Sequence, residues 1–361
     1  MRGRDEELHV NTPAGRILRS LAPFLALFPI LSLAITLPWG HYNEAQAQPA
    51  KAGQKTDLNL ITTPAGTGTY TIAVRQGMLL NKKLSQFKVT VQPASGALVL
   101  PRFLDKGEAQ LVTIAAPTMY WAYKGEEDFT SPMPSLRLLQ VGNDMYFALL
   151  TRPDTGIQSI EALRGKRVTY EYPSATLLTR LGQLHLQASG LDPKKDVIPL
   201  KAEFTTMALN NLMDKRTDAI MASLGGSKMA EAEAKIGIKI LPFPENKVPF
   251  LRKTLPVFHA AITPTGMPGV TPGVPVVATF GITAVNKDLP EETAYTVIKA
   301  LLENYKELLP VHKDFYGWTP ERAVRDMGMP YHPGAIKYYK EKGLWSSEME
   351  QRQAQMLKIG K

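Results

Sequence analysis

Short strand-like runs alternate with helix-like segments along most of this chain of 361 residues. The first are LNLITT at 58–63, a helical pattern from about Tyr70, FKVTVQP at 87–93 and LVTIAAP at 111–117. SGALVLPRFL, between the last two, predicts a short helical piece. Strands that alternate with helices form a mainly parallel sheet with helices on both faces. The alternation therefore predicts an α/β fold.

A second alternating set begins after residue 150. A short helix ends at Gly165, a strand is predicted at 166–172, and a helix over about 175–188 ends at Gly190, which suits a C′ position. The later predicted elements are DVIPLKA, a helix near 207–215, TDAIMASL, IKILPF, VVATFGITAVNK at 276–287, a helix at 291–309 and three helical pieces near 321, 335 and 349. Residues 242–275 contain eight prolines and predict loops and irregular strands.

The chain is longer than one hydrophobic core usually fills, so we expect two lobes. The order of the elements places the first lobe at 57–150 plus 276–361 and the second at 151–275, with 276–287 returning the chain to the first lobe. The short stretch 48–56 leads into the fold.

The N-terminus has the pattern of an export signal. Four arginines precede the apolar run LAPFLALFPILSLAITL at 21–37, and Ala45-Gln46-Ala47 gives the small-x-small pattern of a cleavage site. We therefore predict a signal peptide at 1–47, cut between Ala47 and Gln48, and a periplasmic protein. The alternative is a retained membrane anchor, because the apolar run approaches the roughly 20 residues that span a bilayer. Pro23 and Pro29 interrupt the run and favour cleavage.

Composition narrows the possible chemistry. The chain has no cysteine, which excludes disulfides, thiolate metal sites and a cysteine nucleophile. The net charge of +9 is unchanged by removal of 1–47, which hold four basic and four acidic residues. Such an excess either concentrates anions near the protein or serves only solubility. The lysines and arginines are scattered, so nucleic acid is not an expected partner.

Several segments resemble the TAXI-type solute receptors of tripartite ATP-independent periplasmic (TRAP) transporters. They are LITTPAGTGTY, SGALVLPRFLDKGEAQLVTIAAP, GIQSIEALRGKRVTYEYPSAT, LMDKRTDAIMA, DLPEETAYTVIKAL and YHPGAIKYYKEKG. The last two are the most specific, whereas LRGKRV occurs in many two-lobed binding proteins.

The resemblance implies a two-lobed type II periplasmic binding protein-like fold, in which each lobe is a mainly parallel sheet flanked by helices. It also implies a monomeric receptor that closes over a small organic anion, such as a dicarboxylate, a 2-oxoacid or an acidic amino acid, and delivers it to membrane permease subunits. Transport of this kind needs no nucleotide site, and we expect no cofactor and no metal.

Three loops are the candidate ligand-binding elements, because open α/β sheets bind ligands at the carboxyl ends of their strands. Backbone N–H groups at helix N-termini favour an anion there. The predicted residues are Gly68, Thr69 and Tyr70 in the first loop; Ser95, Gly96 and Ala97 in the second; and Tyr172, Pro173, Ser174, Ala175 and Thr176 in the third. Each loop also reads as a plain turn with a helix cap, Thr67 or Thr69 in the first and Ser174 in the third.

Two of these loops depart from the family pattern. Ser95-Gly96 reverses the family's Gly-Ser order, and no asparagine follows it. Pro101 lies inside the expected helix and predicts a later start or a kink. Glu171 and Tyr172 replace a Gly-rich stretch, and strand alternation turns at least one of them away from the cleft.

Five more residues near the loops have two readings each. Arg75, Arg102 and Arg152 either grip a carboxylate or lie at the surface, and Tyr146 and Phe147 either wall the pocket or pack in the core.

An enzyme is the alternative function. The histidines at 185, 259, 312 and 332 show no HExxH or similar spacing, and Ser223–Ser227 lacks the Gly-x-Ser-x-Gly pattern and a partner. We therefore predict no catalytic residues, although binding-protein folds do host dehydratase-like enzymes. A sensor subunit for a membrane kinase is a further possibility.

Overall fold

The computed structural model describes residues 55–255, 257–310 and 317–359. The predicted export signal at 1–47 lies outside these residues. The strands are β1 (Thr56–Thr62), β2 (Phe87–Pro93), β3 (Leu111–Ala115), β4 (Leu136–Thr151), β5 (Arg167–Glu171), β6 (Ile198–Lys201), β7 (Ala219–Ser223), β8 (Lys239–Leu241), β9 (His259–Ile262) and β10 (Pro275–Asn286).

The α-helices lie between and after these strands. They are α1 (Gly68–Lys83), α2 (Leu100–Asp105), α3 (Ala116–Lys124), α4 (Thr176–Ala188), α5 (Thr205–Met213), α6 (Ser227–Ile236), α7 (Val248–Arg252), α8 (Glu291–Glu303), α9 (Pro333–Glu341) and α10 (Ser347–Ile359). Short 3-10 helices lie at Pro153–Thr155, Glu161–Leu163, Glu245–Lys247, Tyr305–Glu307 and Pro320–Arg322. Within the described ranges, no helix has the length and apolarity needed to cross a membrane.

The strands form one sheet in the order β2-β1-β3-β10-β4-β7-β5-β6, with β8 and β9 paired to β4 and β10. Strand β1 is parallel to β2 and β3, and β5 is parallel to β6 and β7. Strands β10 and β4 join the two parallel sets and are antiparallel to each other. The fold is the predicted two-lobed α/β arrangement, with two parallel units connected by a pair of long strands.

Strand β4 changes partners along its length. It pairs with β10 from Leu136 to Phe147 and with β7 from Phe147 to Thr151. The pairing with β10 shifts register between Phe280 and Ile282 and again between Thr283 and Ala284. Such irregularities bend a strand and increase its twist. The backbone that connects the two parallel units is therefore continuous and bent.

Three helices were missed by the sequence analysis: α3, α6 and α7, the last of which lies in the segment 242–275 that was predicted as loops and irregular strands. Helix α3 begins with Pro117 in its first turn, which is a helix-start signal inside the segment assigned to a strand end. Helix α6 carries Met229, Ala232 and Ile236 at helical spacing, but its sequence SKMAEAEAKI holds few large apolar residues. Helix α2 begins at Leu100 with Pro101 in its first turn, as the later start required by that proline predicts.

Two buried histidines stabilise this frame. His332 caps α9, because its Nδ1 accepts a hydrogen bond of 3.1 Å from the Gly334 N–H. His185 on α4 is fully buried, packs 4.3 Å from the Phe243 ring between centroids, and lies with Nδ1 2.7 Å from the Leu181 carbonyl oxygen. Its Nε2 has no hydrogen-bond partner among the described residues. Burial lowers the pKa of His185 from 6.5 to about 4.

We expect His185 to make the protein less stable in mild acid. The unfolded chain binds more protons than the folded one between pH 6.5 and about 4, so the stabilisation is complete above pH 6.5 and is lost as the pH falls through that interval. The free energy of unfolding should fall by about 2 kcal/mol between about pH 7 and pH 5. Urea unfolding of wild type and His185→Leu should show that the variant loses most of this slope.

The dependence of stability on pH that remains in the variant should come from His332, because burial also lowers the pKa of that residue. An equally steep slope in His185→Leu would contradict the role given to His185.

Candidate functional site

The first loop connects β1 to α1 and is organised by threonines. Thr67 is the N-cap of α1: its hydroxyl oxygen accepts from the Tyr70 N–H at 3.2 Å and its O–H donates to the Pro64 carbonyl at 2.9 Å. Its Oγ1 also lies 2.8 Å from the Thr63 Oγ1. Thr67 thus has the predicted capping role, while the nearby Thr69 hydroxyl makes no such cap.

The second loop is bonded to the third loop rather than open. The N–H groups of Ala97 and Leu98 donate to the Ser174 carbonyl at 2.9 and 3.3 Å. A Cβ placed on Gly96 would lie 2.4 Å from the Ser174 Cβ and 2.7 Å from its carbonyl oxygen, closer than real Cβ atoms approach. The Ala97 amide, which the sequence assigns to an anion, and the neighbouring Leu98 amide are therefore used between the loops, at a contact that only glycine permits.

The third loop differs from its expected form. Ser174 does not cap α4, whose N-cap is Ala175, because the Ser174 hydroxyl donates to the Glu203 carbonyl. Tyr172 is 2% exposed and its hydroxyl donates to the Met221 carbonyl, so the ring belongs to the core between β5 and β7. Tyr172 is therefore a residue that turns away from the cleft, because its side chain lies on the core face.

A fourth loop, after β7, also contacts the first loop. The Lys228 N–H donates to the Gly66 carbonyl at 3.2 Å. A Cβ on Gly226, whose φ is +90°, would lie 2.6 Å from that same carbonyl oxygen. Loops from the two parallel units thus touch at two places, the Gly96–Ser174 contact and the Gly66–Gly226 contact.

A cavity of about 40 Å³ lies between these loops. Its hydroxyl-bearing lining residues are Thr63, Thr67, Thr69, Thr118 and Ser223. Its apolar walls include Ala97, Phe147, Ala175, Leu178 and Phe204, and none of its lining residues is charged. A smaller space of about 20 Å³ adjoins it, shares Thr69, Met145 and Ser223, and is lined also by Gly68, Asp144 and Tyr146.

The predicted site residues divide into two groups. Gly68, Thr69, Ala97 and Ala175 line these spaces. The lining does not include Tyr70, Ser95, Gly96, Tyr172, Pro173, Ser174 or Thr176. Tyr146 and Phe147 line these spaces and also pack in or against the core, so both readings of these residues hold.

Of the five hydroxyl-bearing lining residues, only Thr69 was a predicted ligand-binding residue; Thr63, Thr67, Thr118 and Ser223 were not. Thr118 lies in the first turn of α3, next to Pro117, and Ser223 ends β7. Both follow strands of the parallel sets, and the rule that ligands bind at the carboxyl ends of such strands would have found them.

The three candidate arginines have other partners. Arg152 is 5% exposed, donates to the Leu212 and Thr217 carbonyls and pairs with Asp154 at 3.0 Å. Arg102 lies 5.7 Å from the Phe129 ring centroid, and Arg75 donates to the Met78 sulfur. None of the three lines the cavity. In the described part of the chain, no group of three or more His, Asp or Glu side chains is placed to hold a metal ion.

The two-lobed α/β fold, with a cavity where the loops of both units meet, is that of a class of binding folds. Residues 60–343 match the model of the NMT1-like family, and the chain belongs to that family. A solved structure described as a periplasmic transporter is similar to this chain at a TM-score of 0.50 and 12% identity, over 85% of this chain and 97% of that one.

Two other solved structures are similar at lower scores. The alkanesulfonate-binding protein SsuA from Xanthomonas axonopodis pv. citri, bound to MOPS, has a TM-score of 0.44 and 14% identity over 82% of this chain and 96% of its own. The periplasmic aliphatic sulphonate binding protein SsuA from Escherichia coli has a TM-score of 0.45 and 12% identity over 83% and 97%. Likeness at such identity concerns the fold alone.

We expect Gly96→Ala to open the contact between the second and third loops. The added methyl group would overlap Ser174, and overpacking of this kind costs about 1–3 kcal/mol. Small-angle X-ray scattering should give a larger radius of gyration for the variant than for wild type. Gln92→Ala, at an exposed position on the preceding strand, is the control and should leave the radius unchanged. Equal radii for wild type and Gly96→Ala would contradict a closed contact at this position.

Proposed function

We propose that this protein is an extracytoplasmic solute receptor of a TAXI-type TRAP transporter, which binds a small organic anion between its lobes and delivers it to membrane permease subunits. The observation that carries the proposal is the paired contact of loops from both units around a cavity with hydroxyl groups. A closed cleft with polar groups and no placed nucleophile or base suits capture and release of an unaltered solute.

The lobes of this receptor are 57–150 plus 276–361 and 151–275. The change of partner in β4 at Phe147 and the start of β10 at Pro275 support this division. The long strands then act as the hinge, and closure is a population shift toward the form that binds the solute more tightly.

The cavity determines how a carboxylate would be held. No cation lines it, so hydroxyl groups and the N–H groups at the start of α1 supply the hydrogen bonds. A space of about 40 Å³ holds one or two water molecules, so the loops must part slightly around a solute. The Ser174 carbonyl would then release the Ala97 and Leu98 N–H groups, which become donors for the solute.

A screen of the mature protein, residues 48–361, tests the proposal. Thermal-shift and calorimetric titration with dicarboxylates, 2-oxoacids, acidic amino acids and aromatic acids should show that one class stabilises the protein by binding the native state. The solute should be recovered unchanged. Conversion to a product would favour the enzyme, and stabilisation by none of these classes would contradict an organic-anion receptor.

We expect Thr69→Val and Ser223→Ala each to weaken binding of that solute. Both hydroxyls line the two adjoining spaces, and a hydrogen bond to a charged group contributes about 1.5–3 kcal/mol, or roughly 10- to 100-fold in affinity. Calorimetry measures the loss. Thr90→Val, on β2 and away from the cavity, is the matched control and should bind as wild type does. Unchanged affinity in both cavity variants would place the solute elsewhere.

A further inference from the structure

A second, larger pocket lies over the hinge strands. It has a volume of about 450 Å³ and is lined by Asp144, Arg252, His259, Phe280, Arg322 and Arg325, with Val257 and Phe258 at its base. Asp144 and Phe280 face each other in the β4–β10 pairing, beside the first register shift, and His259 is on β9. Apart from Asp144, it shares no lining residue with the cavity between the loops. We refer to it as the hinge pocket.

The hinge pocket has an excess of positive charge. Its single carboxylate, Asp144, accepts from Arg322 Nη2 at 2.9 Å and lies 3.1 Å from His259 Nε2 through its other oxygen. Although burial alone would raise it, the pKa of Asp144 is lowered by the hydrogen bond from His259 and the charge of Arg322. Arg252 and Arg325 have no carboxylate within 4.0 Å among the described residues. Three guanidinium groups against one carboxylate leave two positive charges, 3 − 1, before His259 is counted.

The cationic groups are held in place before any ligand arrives. The His259 ring stacks on Phe280 at 5.1 Å between centroids, and the Arg325 guanidinium lies 4.9 Å from the same ring. The buried Nε of Arg322 has no hydrogen-bond partner within the described residues.

We propose that the hinge pocket is an anion site that takes a small organic polyanion, a di- or tricarboxylate, through Arg252, Arg322 and Arg325. Guanidinium groups bind carboxylates in bidentate fashion, and three of them line this open pocket. On the lobe division proposed above, Arg252 and His259 belong to the second lobe and Arg322 and Arg325 to the first. An anion bound by residues of both lobes would stabilise one angle between the lobes. Binding of this second solute would therefore shift the equilibrium between the open and closed forms.

Calorimetric titration with citrate tests the site, in low-salt buffer and on the mature protein. We expect saturable binding to wild type that weakens at least tenfold in Arg252→Gln/Arg325→Gln. Both residues are exposed, so the double variant should remain folded, which circular dichroism checks. The matched control, Lys88→Gln/Lys195→Gln, removes two exposed charges elsewhere and should bind citrate as wild type does.

Thr69→Val separates this site from the cavity between the loops. Citrate binding that survives Thr69→Val but not the double arginine change supports the hinge pocket, whether or not the screen finds a cleft solute. Binding lost in Thr69→Val alone would overturn it and place the anion in the cleft. Equal weakening in the arginine and lysine variants would overturn it as unspecific charge attraction. Arginine-dependent binding of hexaglutamate without binding of citrate would also overturn it, in favour of an acidic protein segment.

Discussion

Strands β4 and β10 hydrogen-bond to each other from Leu136 to Phe147 and from Val277 to Asn286, and both continue past that pairing to other partners. Strand β4 pairs on with β7 and β8, and β10 pairs with β9 at one end and β3 at the other. Because backbone groups buried in a sheet must be paired, neither strand can leave without exposing the others. The pairing of β4 with β10 therefore fixes the positions of the two parallel units and brings their loops together.

The fold was largely readable because its signals are local. The runs at 58–63, 87–93 and 276–287 lie close to β1, β2 and β10, and the helix predicted from Glu291 begins at that residue as α8. Strand β10 is buried on both faces and gives a mostly apolar run, whereas the edge strand β2 alternates buried Phe87 and Val89 with exposed Lys88; a sequence displays both patterns directly. Helix α6 was missed because its apolar positions are mostly alanine, which marks the buried face only weakly in the sequence.

The site was less readable, because its contacts join residues far apart in the chain. The sequence located three of the loops from their position after strands, yet nothing local indicates that the Ser174 carbonyl takes the Ala97 N–H. Tyr172 and Ser174 show the same limit: their side chains bond to main-chain carbonyls of Met221 and Glu203, which only the folded chain brings near. Thr118 and Ser223 lie in the first turn of α3 and at the end of β7, and only the folded chain brings them to the same cavity.

The uncharged lining of the cavity has a consequence for the proposed receptor function. Dissolved ions screen exposed charges over distances of about 10 Å, but they act far less on dipoles enclosed by protein. The net charge of +9 would make the rate of capture vary with the salinity of the surroundings. Retention by hydroxyl and amide groups would vary little. Such a receptor would hold its solute about equally well in dilute and in briny water, and only the speed of loading would change.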